Sequence, residues 1–93
     1  ANDAATIDRA LAAVGTTRFE PAAQVEYEQV LLERALELAG KGPLKLGGQQ
    51  VDAAAVRSRL EQTYRRRAGL TADPAERARY VDLANSIRPW SLL

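Results

Sequence analysis

The chain has 93 residues, contains neither cysteine nor histidine, and carries a formal net charge of +1. The missing cysteine excludes disulfides and thiolate metal ligands, and the missing histidine removes the commonest general base and metal ligand. A net charge this close to zero gives no large field of one sign that would attract nucleic acid or a membrane surface. We therefore expect no enzymatic activity in this chain and no cofactor.

The length allows one domain or part of one. The sequence neither begins with methionine nor contains any, which favours a fragment of a longer protein. It has no apolar run near the roughly 20 residues that span a bilayer, and no signal-peptide pattern at its start. These features predict a single cytoplasmic domain over residues 1–93, with no membrane insertion.

Two helices are predicted in the first part of the chain. Residues 2–14 carry apolar side chains at helical spacing, and Gly15 follows where a C-cap glycine is common. Pro21 suits the first turn of a second helix, because its missing N–H would be unpaired there anyway. This second helix is expected to end at Gly40.

The second predicted helix is apolar around most of its girth. One helical face carries Tyr27, Val30, Leu31, Ala35 and Leu38. Another side carries Val25, Leu32, Leu36 and Ala39. Because a helix that is apolar on two sides needs neighbours on both, the pattern predicts a central helix with the other helices packed around it.

Residues 41–50, KGPLKLGGQQ, contain three glycines and a proline, which exclude a helix. We interpret the segment as a plain connection, with a short extended piece through Leu44 and Leu46 as an alternative. Gly47 and Gly48 belong to neither a GxxxxGK[ST] nor a GxGxxG phosphate-binding motif. A binding loop is therefore the less favoured interpretation.

Two further helices are predicted in the second half of the chain. The third covers residues 51–68 and has Asp52 as its N-cap. Asp73 and Pro74 begin the fourth, as N-cap and first helical residue. Pro89 ends this helix, because proline cannot continue a helix and disfavours helical geometry in the residue before it.

Four helices and no convincing strand make the predicted fold all-α. Short connections favour antiparallel neighbours, so the helices are expected to stack as hairpins. The last two helices have about the size of a tetratricopeptide (TPR) unit of ~34 residues. Leu60 and Tyr64 match the first helix of that repeat, and Ala84 and Pro89 match the second. A TPR-like α–α superhelix is the expected arrangement.

The most specific stretch of the sequence covers residues 60–93, LEQTYRRRAGLTADPAERARYVDLANSIRPWSLL. It contains a helix with a tyrosine, then a loop, then a helix close to the pattern R-x-x-L-V-D-x-A-N-x-V-R-P. The residues that fit are Tyr64, Val81, Asp82, Ala84, Asn85, Arg88 and Pro89, with Ile87 in place of valine. In these features the stretch resembles the C-terminal end of actinobacterial PknG-type serine/threonine protein kinases.

This resemblance implies a TPR domain that lies C-terminal to a kinase domain in the parent protein. In the family, this region supports domain association, dimer contacts and docking of substrates or regulators. The parent kinase phosphorylates a small regulator with a forkhead-associated domain, which controls 2-oxoglutarate and glutamate metabolism. The expected partners are therefore the kinase domain, a second copy, or that substrate. The chain itself has no histidine for an H-R-D catalytic loop and no D-F-G motif.

Several polar residues near the C-terminus have two interpretations. Arg65 and Arg66 belong either to a solvated helix end or to a contact with an acidic partner. Asp82 and Asn85 either bond to loop backbone and hold the last hairpin shut, or form a functional polar face with Arg88.

Trp90 and Leu93 are candidates for an interface, because tryptophan is enriched where binding energy concentrates. Cover for the core of the domain is the equal alternative. Another possible function is nucleic-acid binding by a stand-alone helical module through a basic helix. That helix carries Arg57, Arg65, Arg66 and Arg67.

Overall fold

The computed structural model describes residues 4–88, which form four helices and one β-hairpin. In chain order these are α1 (Ala4–Thr16), α2 (Pro21–Ala39), β1 (Leu44–Leu46), β2 (Gln49–Val51), α3 (Ala53–Leu70) and α4 (Pro74–Ile87). The predicted helical character and the four predicted helices are confirmed.

The helices pack in chain order, each against the next. Tyr64 of α3 contacts Glu33 of α2, and Arg66, nearer the end of α3, contacts Glu28, nearer the start of α2. The two helices therefore run antiparallel.

The last two helices are antiparallel as well. Arg57 near the start of α3 contacts Ile87 at the end of α4, whereas Arg67 near the end of α3 lies over Tyr80. α4 packs mainly on α3, so the prediction that all other helices surround α2 is wrong for α4. The reason is the short connection between α3 and α4, which keeps the two elements adjacent.

The α2 helix buries only part of its apolar girth. Its buried residues are Val25, Leu32, Ala35 and Ala39. Tyr27 and Val30, which the sequence placed on a core-facing side, are 50% and 59% exposed. That part of the prediction is wrong, because α1 and α3 cover the other sides of α2 and no described element covers this one.

The core is built mainly of aliphatic side chains from all four helices and the hairpin. The largest fully buried side chains are Leu32, Leu60, Val25 and Val56. Burial of one such side chain stabilises the fold by about 1.5–3 kcal/mol. Two of these residues lie on α2 and two on α3, so these helices contribute the largest buried side chains of the fold.

The segment between α2 and α3 is a two-stranded antiparallel hairpin, which corrects the prediction of no strand. Gly47 and Gly48 form its two-residue turn with φ values of 61° and 79°. Such positive φ values are those of a type I′ turn, whose twist matches paired strands. The Gly-Gly pair was visible in the sequence, but the strands of three residues are too short to give a clear alternating pattern.

The hairpin is attached to the core along β1. Leu44 and Leu46 are buried, and Lys45 between them is exposed, as alternation along a strand requires. The Gly47 N–H donates a hydrogen bond to the Asp8 carboxylate of α1 at 2.8 Å. The β-hairpin therefore packs against one side of the α1–α2 pair. The alternative prediction, a short extended piece through Leu44 and Leu46, is confirmed.

The predicted N-caps are confirmed in the second half of the chain, but the predicted bounds of the third helix, 51–68, are shifted, because Val51 belongs to β2 and α3 covers Ala53–Leu70. The Asp52 carboxylate accepts from the Ala55 N–H at 2.9 Å, which satisfies one unpaired donor of the first turn of α3. Asp73 is the N-cap of α4, with Pro74 in the first turn. The first helix ends one residue beyond Gly15, which therefore lies inside α1.

We expect alanine to have opposite effects at Gly48 and Gly69. Gly48→Ala places a Cβ at φ 79° and should destabilise the fold by about 1 kcal/mol. Gly69 lies in the last turn of α3 with no atom within 4 Å of an added Cβ. Gly69→Ala should therefore stabilise by about 0.5–1 kcal/mol. Urea denaturation followed by helical circular dichroism measures both, and shifts of the same sign would contradict the turn geometry.

Candidate interaction surfaces

The TPR-matching residues meet in the contact between α3 and its neighbours. Leu60, Tyr64 and Ala84 are 1%, 5% and 0% exposed. Ala84 lets the backbones of α3 and α4 approach closely, because it carries only a methyl group. Val81 is 37% exposed on α4, and Pro89 lies outside the described residues.

A polar network lies between α2 and α3 around Tyr64. The Tyr64 hydroxyl donates to the Glu33 carboxylate at 2.6 Å, and the Gln29 amide donates to the same oxygen at 3.2 Å. Burial, the hydrogen bond to Glu33 and the charge of Glu33 together raise the pKa of Tyr64 well above its usual value. The phenol therefore stays protonated and serves as a structural donor.

The basic run of α3 connects this helix to both of its neighbours. Arg65 donates to Glu61 at 2.8 Å and to Asn85 of α4 at 2.9 Å. Arg66 forms an ion pair with Glu28 of α2 at 3.1 Å. The interpretation of Arg65 and Arg66 as a solvated helix end is therefore incomplete, because Arg65 contacts α4 and Arg66 contacts α2.

Arg67 and Arg57 are also used within the fold. The Arg67 guanidinium lies 4.6 Å from the centroid of the Tyr80 ring and donates to Gln29. Arg57 donates to the carbonyl of Ile87 at 2.9 Å, and so satisfies an acceptor at the end of α4. No observation in the described part of the chain favours a nucleic-acid surface on this helix.

The structure changes the interpretation of Asp82 and Asn85. Asn85 accepts from Arg65, not from loop backbone, and Asp82 is exposed. The side chain that binds the α3–α4 connection is Arg77, which donates to the Thr71 carbonyl at 3.1 and 3.2 Å. No sequence pattern indicates this role of Arg77, because its partner is a backbone atom in a turn.

An apolar groove between α1 and α2 is the first candidate surface, and we call it the α1–α2 groove. It has a volume of about 450 Å³ and is lined by Ala10, Val14, Phe19, Glu26, Tyr27, Val30 and Leu31. The Phe19 and Tyr27 rings pack with centroids 5.0 Å apart and planes tilted by 54°. The sequence did not predict this surface, because its periodicity placed Tyr27 and Val30 on a face expected to pack against other helices.

The second candidate surface, the α4 groove, lies on the face of α4 that is turned away from α3. It has a volume of about 490 Å³ and is lined by Ala75, Ala78, Arg79, Asp82, Leu83 and Ser86. The predicted interface residues Trp90 and Leu93 follow this helix and lie outside the described residues. Arg88 is exposed at the end of α4.

Within residues 4–88, none of the helices combines the length and the apolar content that crossing a bilayer requires. The same residues contain no cluster of three or more acidic, histidine or cysteine side chains placed to hold a metal ion.

Comparison of the chain with protein-family models, with curated proteins and with solved structures finds no match. The resemblance to PknG-type kinases thus depends on the residues of the sequence alone.

Proposed function

We propose that the chain is a TPR-like module of a PknG-like serine/threonine protein kinase, acting in the cytoplasm by protein–protein contact. The antiparallel α3–α4 hairpin supports this proposal, since Leu60, Tyr64 and Ala84 are buried where the TPR pattern requires them. The β-hairpin of β1 and β2, between α2 and α3, is an addition to the TPR repeat. Catalysis belongs to the parent protein and not to this chain.

The α1–α2 groove is the observation that carries the proposal. Tyr27 and Val30 are large apolar side chains left half or more exposed, next to Phe19 at 36%. Contiguous apolar patches on a soluble domain commonly mark contact sites, and aromatic residues concentrate binding energy. A partner that inserts apolar side chains here would bury the aromatic pair.

The partner we propose for the groove is the kinase domain of the same polypeptide. Stable complexes between separate proteins bury about 1,200–2,000 Å² in total, and a groove lined by seven residues is a small part of such an area. A domain linked through the same chain needs less surface, because the linker raises its effective concentration to the millimolar range. A second copy and a forkhead-associated substrate are the other partners that the resemblance implies.

Titration of the chain with the kinase domain tests this function. Val30→Asp should weaken binding by about tenfold or more, because a carboxylate would be desolvated in an apolar contact. Val81→Asp is the matched control, since Val81 is also exposed but lies on α4. The control should bind as the unmodified chain does.

Two further measurements separate the partners. Sedimentation of the chain alone detects a second copy, and titration with a forkhead-associated domain detects substrate docking. A chain that binds none of the three partners would contradict the proposed function. Equal losses of affinity in Val30→Asp and Val81→Asp would show that the α1–α2 groove is not the contact site.

A further inference from the structure

The outer face of α4 has no cover from the part of the chain that the structure describes. Tyr80 and Ala84 are buried on the side of α4 that packs against α3. The α4 groove lies on the other side, where Arg79 and Asp82 are exposed and Leu83 is half-buried. Because α4 packs mainly against α3 among the described elements, this face is an outer surface of the helix row.

The two charged side chains of the α4 groove are without partners among residues 4–88. Arg79 and Asp82 both line the groove, and no described residue forms a hydrogen bond or ion pair with either side chain. Residues three apart project on the same side of a helix, here about 4.5 Å apart along its axis. A cation nearer the N-terminus than the anion is the less favourable order for pairing within one helix. The groove therefore presents a cation and an anion side by side, both available to a partner.

The residues of the α4 groove are arranged symmetrically about the point midway between Tyr80 and Val81. Each lining residue has a counterpart at the same distance on the other side of this point, which gives the pairs Arg79 and Asp82, Ala78 and Leu83, and Ala75 and Ser86. A two-fold axis at this point reverses the direction of the helix. A second α4 placed antiparallel would therefore set Arg79 of each copy opposite Asp82 of the other.

The same register places small side chains where two helices would approach most closely. At about 100° per residue, Ala75 and Ser86 lie with the charged pair along the middle of the face. Ala75 of one copy would face Ser86 of the other at both ends of the contact, and neither side chain is large enough to hold the backbones apart. Leu83 lies on one flank of the face, so the two Leu83 side chains would lie next to each other across the axis and add an apolar contact.

We propose that α4 packs antiparallel against α4 of a second copy of this chain, with Arg79 of each copy paired with Asp82 of the other. One patch serves both copies, as an interface with two-fold symmetry requires. A parallel arrangement in the same register would set Arg79 against Arg79 and Asp82 against Asp82, and like charges in contact disfavour it. The contact is separate from the α1–α2 groove and does not depend on the proposed function.

The size of the groove sets the strength of this contact. The helix rises about 16 Å between Ala75 and Ser86, the two ends of the groove. Stable interfaces use about 20–30 residues from each partner, and six lining residues from each copy are far fewer. We therefore expect a weak, reversible dimer with a dissociation constant of about 100 μM or more. In such a contact, charge complementarity decides which surfaces meet.

Charge reversal tests both the surface and the register. Sedimentation equilibrium of the 93-residue chain at low salt, up to about 1 mM, should show a monomer–dimer equilibrium. Arg79→Glu and Asp82→Arg should each raise the dissociation constant by about tenfold, because each sets two pairs of like charges across the axis. An equimolar mixture of these two variants should dimerise as strongly as the unmodified chain, because every charge of one variant then meets an opposite charge of the other.

Two control variants separate the α4 contact from other effects. Arg9→Glu makes the same change of charge at an exposed position of α1, and it should dimerise as the unmodified chain does. Val30→Asp changes the α1–α2 groove and should also leave the dimer intact. A loss of kinase-domain binding in Val30→Asp with an unchanged dimer would therefore keep the two proposals apart.

Four outcomes would overturn the proposal. The first is an unmodified chain that stays monomeric over the whole concentration range. The second is a dimer that Arg79→Glu and Asp82→Arg weaken no more than Arg9→Glu does. The third is a mixture of the two charge-reversal variants that dimerises no better than either variant alone, which would refute the antiparallel register. The fourth is a dimer that Val30→Asp abolishes, which would place the second copy in the α1–α2 groove.

Discussion

Leu60→Ala is expected to lower the free energy of unfolding by about 2–5 kcal/mol, the range for truncating a buried leucine. Leu60 is 1% exposed on α3, the helix that contacts both α2 and α4. The loss has two parts, the transfer free energy of the missing methyl groups and the free-energy cost of the cavity that remains because the neighbouring side chains relax only partly. Domains of this size are only marginally stable, so such a loss removes a large part of the total.

Urea denaturation measures this effect as a lower midpoint with an unchanged slope. Leu70→Ala is the matched control, because Leu70 lies on the same helix and is 44% exposed. The control should change stability by less than about 0.5 kcal/mol. Similar losses of stability in Leu60→Ala and Leu70→Ala would mean that the face of α3 that carries Leu60 is not buried.

Ala84→Leu is the second large effect, with an expected destabilisation of about 1–3 kcal/mol or more. Ala84 is 0% exposed on α4, which packs against α3, so the added atoms of leucine would have to displace neighbouring side chains. Leucine is nearly as good a helix former as alanine, so helix propensity does not explain the loss. The cause is separation of the two helices or a strained side chain.

Ala54→Leu is the control for this substitution. Ala54 is exposed in the first turn of α3, so the same change in size should have little effect on the denaturation midpoint. If Ala84→Leu matched the control in stability, the close approach of α3 and α4 would be refuted. The proposed TPR-like arrangement would then lose one of the observations that support it.

Local signals predicted the helices and several of their ends. Asp52 and Asp73 cap the helices they were expected to cap, and α4 ends two residues before Pro89. These features depend on hydrogen bonds and steric contacts within a few residues of the chain, so the sequence is sufficient to show them. The hairpin was the exception, since only its Gly47–Gly48 turn carries a local signal.

The candidate sites could not be predicted in the same way. The exposure of Tyr27 and Val30 depends on where α1 and α3 pack around α2. The spacing of apolar residues along α2 does not show which of its apolar faces stays exposed to solvent. Arg65 and Arg66 were recognised as a basic run, but their partners lie on different helices. Their roles follow from distances across the fold.

Sequence patterns alone predict the helical class and the N-caps of α3 and α4, and the composition rules out cysteine and histidine chemistry. The buried faces, the positions of the two grooves and the partners of the arginines became visible in the folded chain. A cap or a turn depends on residues that are neighbours in the sequence, whereas burial and long-range pairing depend on how two separate elements pack against each other.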